Sequence, residues 1–128
     1  MKILKRQEDS RGWIEFCEAE GQKFNVLFSK AGSYRSGDYH KTSQHDIIVF
    51  GTVEVRERSI GFIKMTDGPE AFRLENAGHS FCVYAGYAHL FHFRADTLMI
   101  EWWDGEFEAK YYKPYRDIVD ESLKRWEK

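Results

Sequence analysis

The chain has 128 residues, which suits one domain and leaves little room for a second. Its formal net charge is −2 and charges of both signs are interspersed, so it lacks the basic stripe that a phosphate backbone requires, and no nucleic-acid partner is expected. A hydrophobic content of 42%, with 16% aromatic residues, is typical of a folded globular protein and favours a β-rich core.

The N-terminal stretch MKILKRQEDS is charged from its second residue and has no apolar centre, so it does not read as a signal peptide. No apolar run approaches the length of a membrane span. We therefore expect a cytoplasmic protein without a membrane partner. Cys17 and Cys82 both lie in apolar, strand-like runs, which predicts buried thiols rather than a disulfide.

Short strand-like segments separated by turn signals follow one another along most of the chain. In chain order they are GWIEFCEAE, KFNVLFSK, DIIVFGTVEVRER, IGFIKMT, AFRLE, HSFCVY, HLFHFRA and TLMIEWW. Strands that recur roughly every 8–12 residues predict an all-β sandwich or barrel. The first half of DIIVFGTVEVRER is apolar on both faces, which is consistent with a buried interface.

The last segment changes its periodicity. In PYRDIVDESLKRWEK the apolar residues recur at helical spacing, and Pro114 fits the start of a helix. We predict one domain, with a barrel over about residues 11–110 and an amphipathic helix over about residues 114–127. The helix is expected to pack on the outside of the barrel or on a partner subunit.

Two runs of residues have a regular spacing relative to glycines. The first run is Gly32-x5-Asp38-x-His40-x3-Gln44-x6-Gly51. The second run is Gly78-x5-Tyr84-x-Gly86-x2-His89-x3-Phe93. Side chains two residues apart on a strand project to the same face, so Asp38 and His40 are expected to share one face.

These runs resemble the paired motifs of the cupin family, Gly-x5-His-x-His-x3-Glu-x6-Gly and Gly-x5-Pro-x-Gly-x2-His-x3-Asn. The resemblance covers positions 32 to 93. It implies the double-stranded β-helix barrel, a jelly-roll architecture. It also implies a homodimer, because cupins of this kind often dimerise by sheet packing or strand exchange.

The resemblance further implies a metal site. Carried over by position, the candidate ligands are Asp38, His40, Gln44 and His89. An aspartate replaces one usual histidine, and a glutamine replaces the usual glutamate. Two imidazoles and one carboxylate form the donor set of non-haem Fe(II) sites, and Mn, Ni, Co or Zn also suit it. The alternative is a metal-free pocket in which His40 and Gln44 hydrogen-bond a substrate.

Side-chain parity predicts the cavity around these groups. Gln44 shares parity with Ile48 and Phe50, and His89 shares parity with Phe91 and Phe93. This predicts an aromatic cavity with four polar groups at one end, as in many small-molecule sites. The other polar residues nearby are expected outside it: His45, Asp46 and His92 in the scaffold, and His79 in a turn.

The catalytic candidates are His40, Glu101 and Tyr87. Glu101 lies in the apolar run TLMIEWW, where a carboxylate is costly unless it is paired or belongs to a site. It either faces the cavity as an acid or base, or pairs with an arginine such as Arg94. Tyr87 flanks the second motif, where packing is the more usual role. Arg35 offers a fork for an anion, but we expect it at the surface.

Three functions remain open. The first is a metal-dependent enzyme, such as an oxidoreductase, acting on a small oxygenated molecule. The second is a metal-free enzyme resembling sugar-nucleotide isomerases or epimerases of carbohydrate metabolism, with His40 as base and a tyrosine as acid. The third is a binding module for a small ligand without catalysis, because a fold alone does not determine function.

Overall fold

The structure is a computed structural model that describes residues 1–61 and 67–127. Within those ranges it contains eleven strands and one helix. They are β1 (Lys2–Asp9), β2 (Gly12–Ala19), β3 (Gln22–Ser29), β4 (Tyr34–His40), β5 (Gln44–Phe50), β6 (Thr52–Ser59), β7 (Ala71–Asn76), β8 (Ser80–Val83), β9 (Tyr87–Phe93), β10 (Thr97–Trp103), β11 (Ala109–Tyr111) and α1 (Lys113–Trp126).

The strands form two antiparallel sheets that pack face to face. One sheet has the order β1-β2-β3-β10-β5-β8, and the other has the order β11-β4-β9-β6-β7. The residues buried between them are apolar: Leu27, Ile48, Val53, Val55, Val83, Phe91, Phe93 and Met99. This arrangement confirms the predicted all-β jelly-roll with a C-terminal helix.

Gly51 divides the segment DIIVFGTVEVRER, which the sequence pattern presented as one strand. The chain leaves the first sheet with β5 and enters the second with β6. Gly51 has φ +100°, and a Cβ there would lie 2.4 Å from the carbonyl oxygen of Asp96. Only glycine fits such a crossing, because it has no Cβ and tolerates positive φ.

The prediction that Phe50 faces the cavity is wrong. The pairing of β5 with β10 shifts register between Leu98 and Met99, so that Leu98 pairs with Phe50 and Met99 with Ile48. Val49 is the extra residue of this bulge. It reverses the side-chain parity, so Ile48 is buried while Phe50 is 44% exposed.

Three strands were missing from the eight sequence candidates. All residues of β1 are exposed, and it pairs with β2 at the edge of its sheet, so it carries no apolar alternation. Strand β4 is polar because its inward positions carry site residues, and β11 has three residues. The candidate IGFIKMT begins with Ile60 and Gly61, which lie outside any strand, and its remainder lies outside the described residues.

Helix α1 packs on the outer side of the chain's own barrel. Tyr115 and Val119 are buried against Ala88 and Leu90 of β9, which decides between the two predicted docking sites. The helix also lies close to β4, since a Cβ on Gly37 would be 2.9 Å from the Cα of Arg116. Its packing therefore supports the strand that carries the first motif.

Cys17 is buried and Cys82 is half-buried, and both are free thiols, as predicted. Burial is the main factor that raises the pKa of each thiol. Among the described residues, no helix is both long and apolar enough to cross a membrane.

Candidate metal centre and cavity

A bulge in β4 sets the position of Asp38. Ser36 and Gly37 both have φ 82°, and the pairing of β4 with β9 shifts register between Ser36 and Asp38. Asp38 thereby lies opposite His89, and the Ser36 hydroxyl donates a hydrogen bond of 2.7 Å to its Oδ1. A positive φ is unusual for serine and marks a position that the surrounding structure must hold.

Asp38, His40 and His89 converge at one end of the barrel. Asp38 Oδ1 lies 3.7 Å from His40 Nε2 and 3.3 Å from His89 Nε2. One ligand atom from each residue lies within 4.8 Å of the others. Atoms that bind one first-row ion at ~2.0–2.2 Å lie roughly 3–3.5 Å apart, so this spacing suits a single ion. Both histidines are buried, and Asp38 is half-buried.

The backbone orients both imidazoles. His40 Nδ1 lies 3.1 Å from the Glu108 carbonyl oxygen, and His89 Nδ1 lies 3.3 Å from the Tyr87 carbonyl oxygen. A carbonyl only accepts, so each Nδ1–H donates and a neutral ring directs its Nε2 lone pair toward Asp38. Burial is the main factor that lowers the pKa of His89, to about 4, so its ring is neutral at neutral pH.

A second polar group lies beside the triad. Gln44 Nε2 donates to both oxygens of Asp46 at 3.1 Å and to Glu101 Oε2 at 3.3 Å. Asn25 Nδ2 donates to Glu101 Oε1 at 3.1 Å. The Gln44 amide nitrogen therefore holds two carboxyl groups.

These contacts decide two expectations about carboxylates. Glu101 faces the cavity, and Arg94 pairs with Glu54 instead. The expectation that Asp46 belongs to the ordinary scaffold is wrong, because its carboxyl group is buried and hydrogen-bonded to Gln44. Asp46 lies two residues after Gln44 on the same strand, and this spacing could have predicted that both face inward. Burial raises the pKa of Glu101 to about 7, and burial followed by the charge of Glu101 raises the pKa of Asp46 well above its usual range.

A cavity of about 530 Å³ opens beside the triad. Aromatic and aliphatic side chains form part of its wall, among them Ile14, Phe16, Leu27, Phe91, Trp103 and Phe107. Its polar wall includes Arg11, Arg35, Asp38, His40, Gln44 and Glu101. The expectation that Arg35 is exposed is wrong, because it projects inward from β4 and is only 6% exposed.

The remaining candidates lie elsewhere. Tyr87 is 38% exposed, packs its ring edge-on against Tyr84 and is absent from the cavity wall, whereas Tyr111 forms part of that wall. The other histidines are also outside the cavity, as predicted. His45 bonds Asp104, His79 bonds Glu75, and His92 stacks on Tyr34.

No protein-family model and no curated protein matches the chain. Solved structures do resemble it. Staphylococcus aureus CapF, a capsular polysaccharide assembling protein, aligns at a TM-score of 0.70 and 18% identity, over 87% of this chain and 32% of CapF. A Bacillus subtilis oxalate decarboxylase mutant aligns at 0.68 and 12% identity, over 84% of this chain and 29% of the other. A Lactobacillus farciminis oxalate decarboxylase formate complex aligns at 0.67 and 15%, over 94% and 38%.

This chain thus spans about a third of the length of each of these proteins. At such low identities the likeness concerns the fold. CapF and oxalate decarboxylase are both cupin-fold proteins. Their likeness agrees with the two antiparallel sheets described above. The chain therefore has the cupin fold, and its C-terminal segment forms the helix α1.

Proposed function

We propose that this protein is an enzyme that binds one divalent transition metal through Asp38, His40 and His89 and acts on a small oxygenated molecule. The observation that carries the proposal is the convergence of three acceptor atoms. With Nδ1 of each ring bonded to a backbone carbonyl, the Nε2 atoms of His40 and His89 face the Asp38 carboxylate at 3.3–3.7 Å. Acceptors at this distance repel one another unless a cation lies between them.

The donor set limits the choice of metal. Two imidazoles and one carboxylate suit Fe, Mn, Ni, Co or Zn. One carboxylate leaves a divalent site with a net charge of about +1, which favours oxygen ligands in the remaining positions. Bacillus subtilis oxalate decarboxylase, one of the structural neighbours, has Mn(II) centres. A bound metal would polarise a substrate oxygen or lower the pKa of a bound water.

Glu101 is the acid or base in this proposal. It faces the same cavity, and a pKa of about 7 lets it both accept and donate a proton near neutral pH. Asn25 and Gln44 each donate one hydrogen bond to its carboxyl group and so fix its direction. We assign Gln44 to this positioning role rather than to metal binding, because its amide nitrogen points to Asp46 and Glu101.

Metal content tests the proposal. Protein purified without a metal-affinity tag and reconstituted with Fe, Mn, Ni, Co or Zn should retain about one ion per chain. The variants His40→Ala and Asp38→Ala should retain almost none, while the control His45→Ala should match the wild type. A wild-type protein that retains none of the five metals would refute the proposal.

The second candidate is a metal-free carbohydrate enzyme with His40 as base. The likeness to a capsular polysaccharide assembling protein favours this candidate. Tyr111 lies in the cavity wall and would be the tyrosine acid, a role that Tyr87, outside the cavity wall, does not fit. This function predicts exchange of a sugar C–H with solvent deuterium in chelator-treated protein supplied with keto-deoxysugar nucleotides. Exchange that persists in His40→Ala, or that requires added metal, would count against it.

We also propose that the protein forms a homodimer through the six-stranded sheet. A row of large apolar side chains crosses four of its strands on the face opposite the core: Trp13, Phe28, Leu98 and Phe50. Each remains at least partly accessible, and such a row suits packing against an identical row. Sedimentation that gives only monomer at high protein concentration would refute this association.

A further inference from the structure

We infer that Arg35 is the binding group for a substrate carboxylate, so that the substrate of this cavity is a small carboxylic acid. The inference rests on the proposed function for the metal end of the site, and it adds the class of substrate. The inference is based on two observations: the Arg35 guanidinium is held by neutral hydrogen-bond acceptors, and it has no carboxylate partner among the described residues.

Arg35 is fixed by neutral partners. Its Nε donates to Ser29 Oγ at 2.7 Å, and its Nη2 donates to the Phe28 carbonyl oxygen at 3.3 Å. Both partners come from β3, so the guanidinium bridges the two sheets inside the barrel. These two bonds hold the group in place, and neither neutralises its charge.

No carboxylate of the described residues forms an ion pair with Arg35, although the side chain is more than nine-tenths buried. A buried charge without a counter-ion is costly, and proteins pair nearly all such groups. Nη1 has no hydrogen-bond partner among the described residues and is not enclosed by protein atoms. Since Arg35 forms part of the cavity wall, the unpaired edge of its fork is available to a ligand.

Two further arginines add positive charge to the same wall. Arg11 pairs with Asp9, and Arg116 pairs with Asp120 and donates to the Ser36 carbonyl oxygen. Burial lowers the pKa of Arg35 to about 10, and the charge of Arg11 lowers it further, while the more distant carboxyl groups of Asp9 and Glu101 offset only part of this lowering.

The carboxyl groups of Asp38, Glu101 and Glu108 also border the cavity. A bound metal takes up the charge of Asp38, and the Glu101 pKa of about 7 leaves that group partly protonated.

The geometry limits the size of the ligand. Arg35 lies opposite Phe91 on β9, and Asp38 lies opposite His89, two residues away on the same strand. Two residues of a strand span ~7 Å, which suits a few carbon atoms between a metal-bound oxygen and a carboxylate. A carboxylate also matches the planar fork of arginine better than a tetrahedral anion does.

Calorimetric titration with malonate, malonamide and inorganic phosphate tests the inference, using both zinc-loaded and zinc-free protein. Malonate should bind, and malonamide, its uncharged analogue, should bind at least tenfold more weakly. Arg35→Met should weaken malonate binding by about ten- to hundredfold, which is the usual effect of losing a charged hydrogen bond. Its zinc stoichiometry should stay at the wild-type value.

The controls separate charge from geometry. Arg35→Lys keeps the charge without the fork and should fall between wild type and Arg35→Met, whereas Arg125→Met, on the exposed last turn of α1, should bind malonate normally. Equal malonate affinity in wild type and Arg35→Met, or tighter binding of phosphate than of malonate, overturns the inference. If Arg35→Met does not fold, the wild-type preference for malonate over malonamide and the Arg35→Lys result decide it. If the protein does not bind zinc, the zinc-free titrations still test Arg35, so failure of the metal proposal and failure of this inference remain distinguishable.

Discussion

The two ends of the barrel interior are built from the same strands yet have opposite chemistry. On β5, Ile48 is fully buried in the apolar core, while Asp46, two residues earlier, is buried among hydrogen-bonding groups. On β10, Met99 belongs to the core and Glu101 to the cavity. The same contrast separates Phe93 from His89 on β9.

The comparison shows how stability and function are divided along each strand. Inward positions at one end remove apolar surface from water, which supplies most of the free energy of folding. Inward positions at the other end bury carboxyl and imidazole groups at a cost in free energy. The apolar end therefore supplies stability that offsets the cost of burying the polar groups at the other end. Substitutions at each end test the two roles separately.

The largest effect is expected from Phe93→Ala at the apolar end. Phe93 is fully buried in the core, so its truncation should lower the free energy of unfolding by about 3–5 kcal/mol. Urea denaturation measures this change. Folded Phe93→Ala protein should still bind one metal ion per chain, whereas a loss of under ~1 kcal/mol would show that this end does not carry the stability.

Metal removal should have the next largest effect, and only through the polar end. A metal present at 100–1,000 times its dissociation constant should raise the free energy of unfolding by about 3–4 kcal/mol, because it binds the folded chain alone. Thermal or urea unfolding with and without chelator measures the difference. His40→Ala should show almost none of it, and an equal chelator effect in that variant would place the metal elsewhere.

Glu101→Gln should change the pH dependence of stability by about 1–3 kcal/mol in chelator-treated protein. The pKa of Glu101 is raised from its ordinary 4.5 to about 7, so the folded state binds more protons between these values. Wild-type stability should therefore fall, relative to Glu101→Gln, as the pH rises from about 4.5 to above 7. His89, with a pKa lowered to about 4, costs stability as the pH falls below 6.5 in both proteins, so its effect cancels in their difference, which reports on Glu101 and on the Asp46 carboxyl that the Glu101 charge affects. A pH-independent difference would contradict this assignment.

The smallest effect is expected from His45→Ala, one residue from Gln44. His45 lies on the opposite face of β5, stacks on Trp102 and bonds the exposed Asp104. Its loss should cost less than ~1 kcal/mol of unfolding free energy, as is usual for exposed ion pairs. Metal stoichiometry should not change. A clear loss of metal would show that His45, although it lies on the opposite face of β5, contributes to the metal site.

The sequence by itself determined the all-β class and the C-terminal helix, and its resemblance to the cupin motifs marked Asp38, His40 and His89 as candidates. These follow from strand alternation, helical periodicity and motif spacing, which are local properties of the chain. It did not reveal β1 or β4, because an exposed edge strand and a strand lined with site residues both lack apolar alternation.

The tertiary structure decided what depends on the neighbour across a sheet or across the barrel. The bulge at Val49 turned Phe50 outward, and the bulge at Ser36 and Gly37 brought Asp38 opposite His89. Burial of Arg35 and Asp46, and the direction of Glu101, came from partners on other strands. Register shifts and long-range contacts of this kind arise only when the strands pair, so residue spacing marks the candidate ligands while packing determines the charge around them.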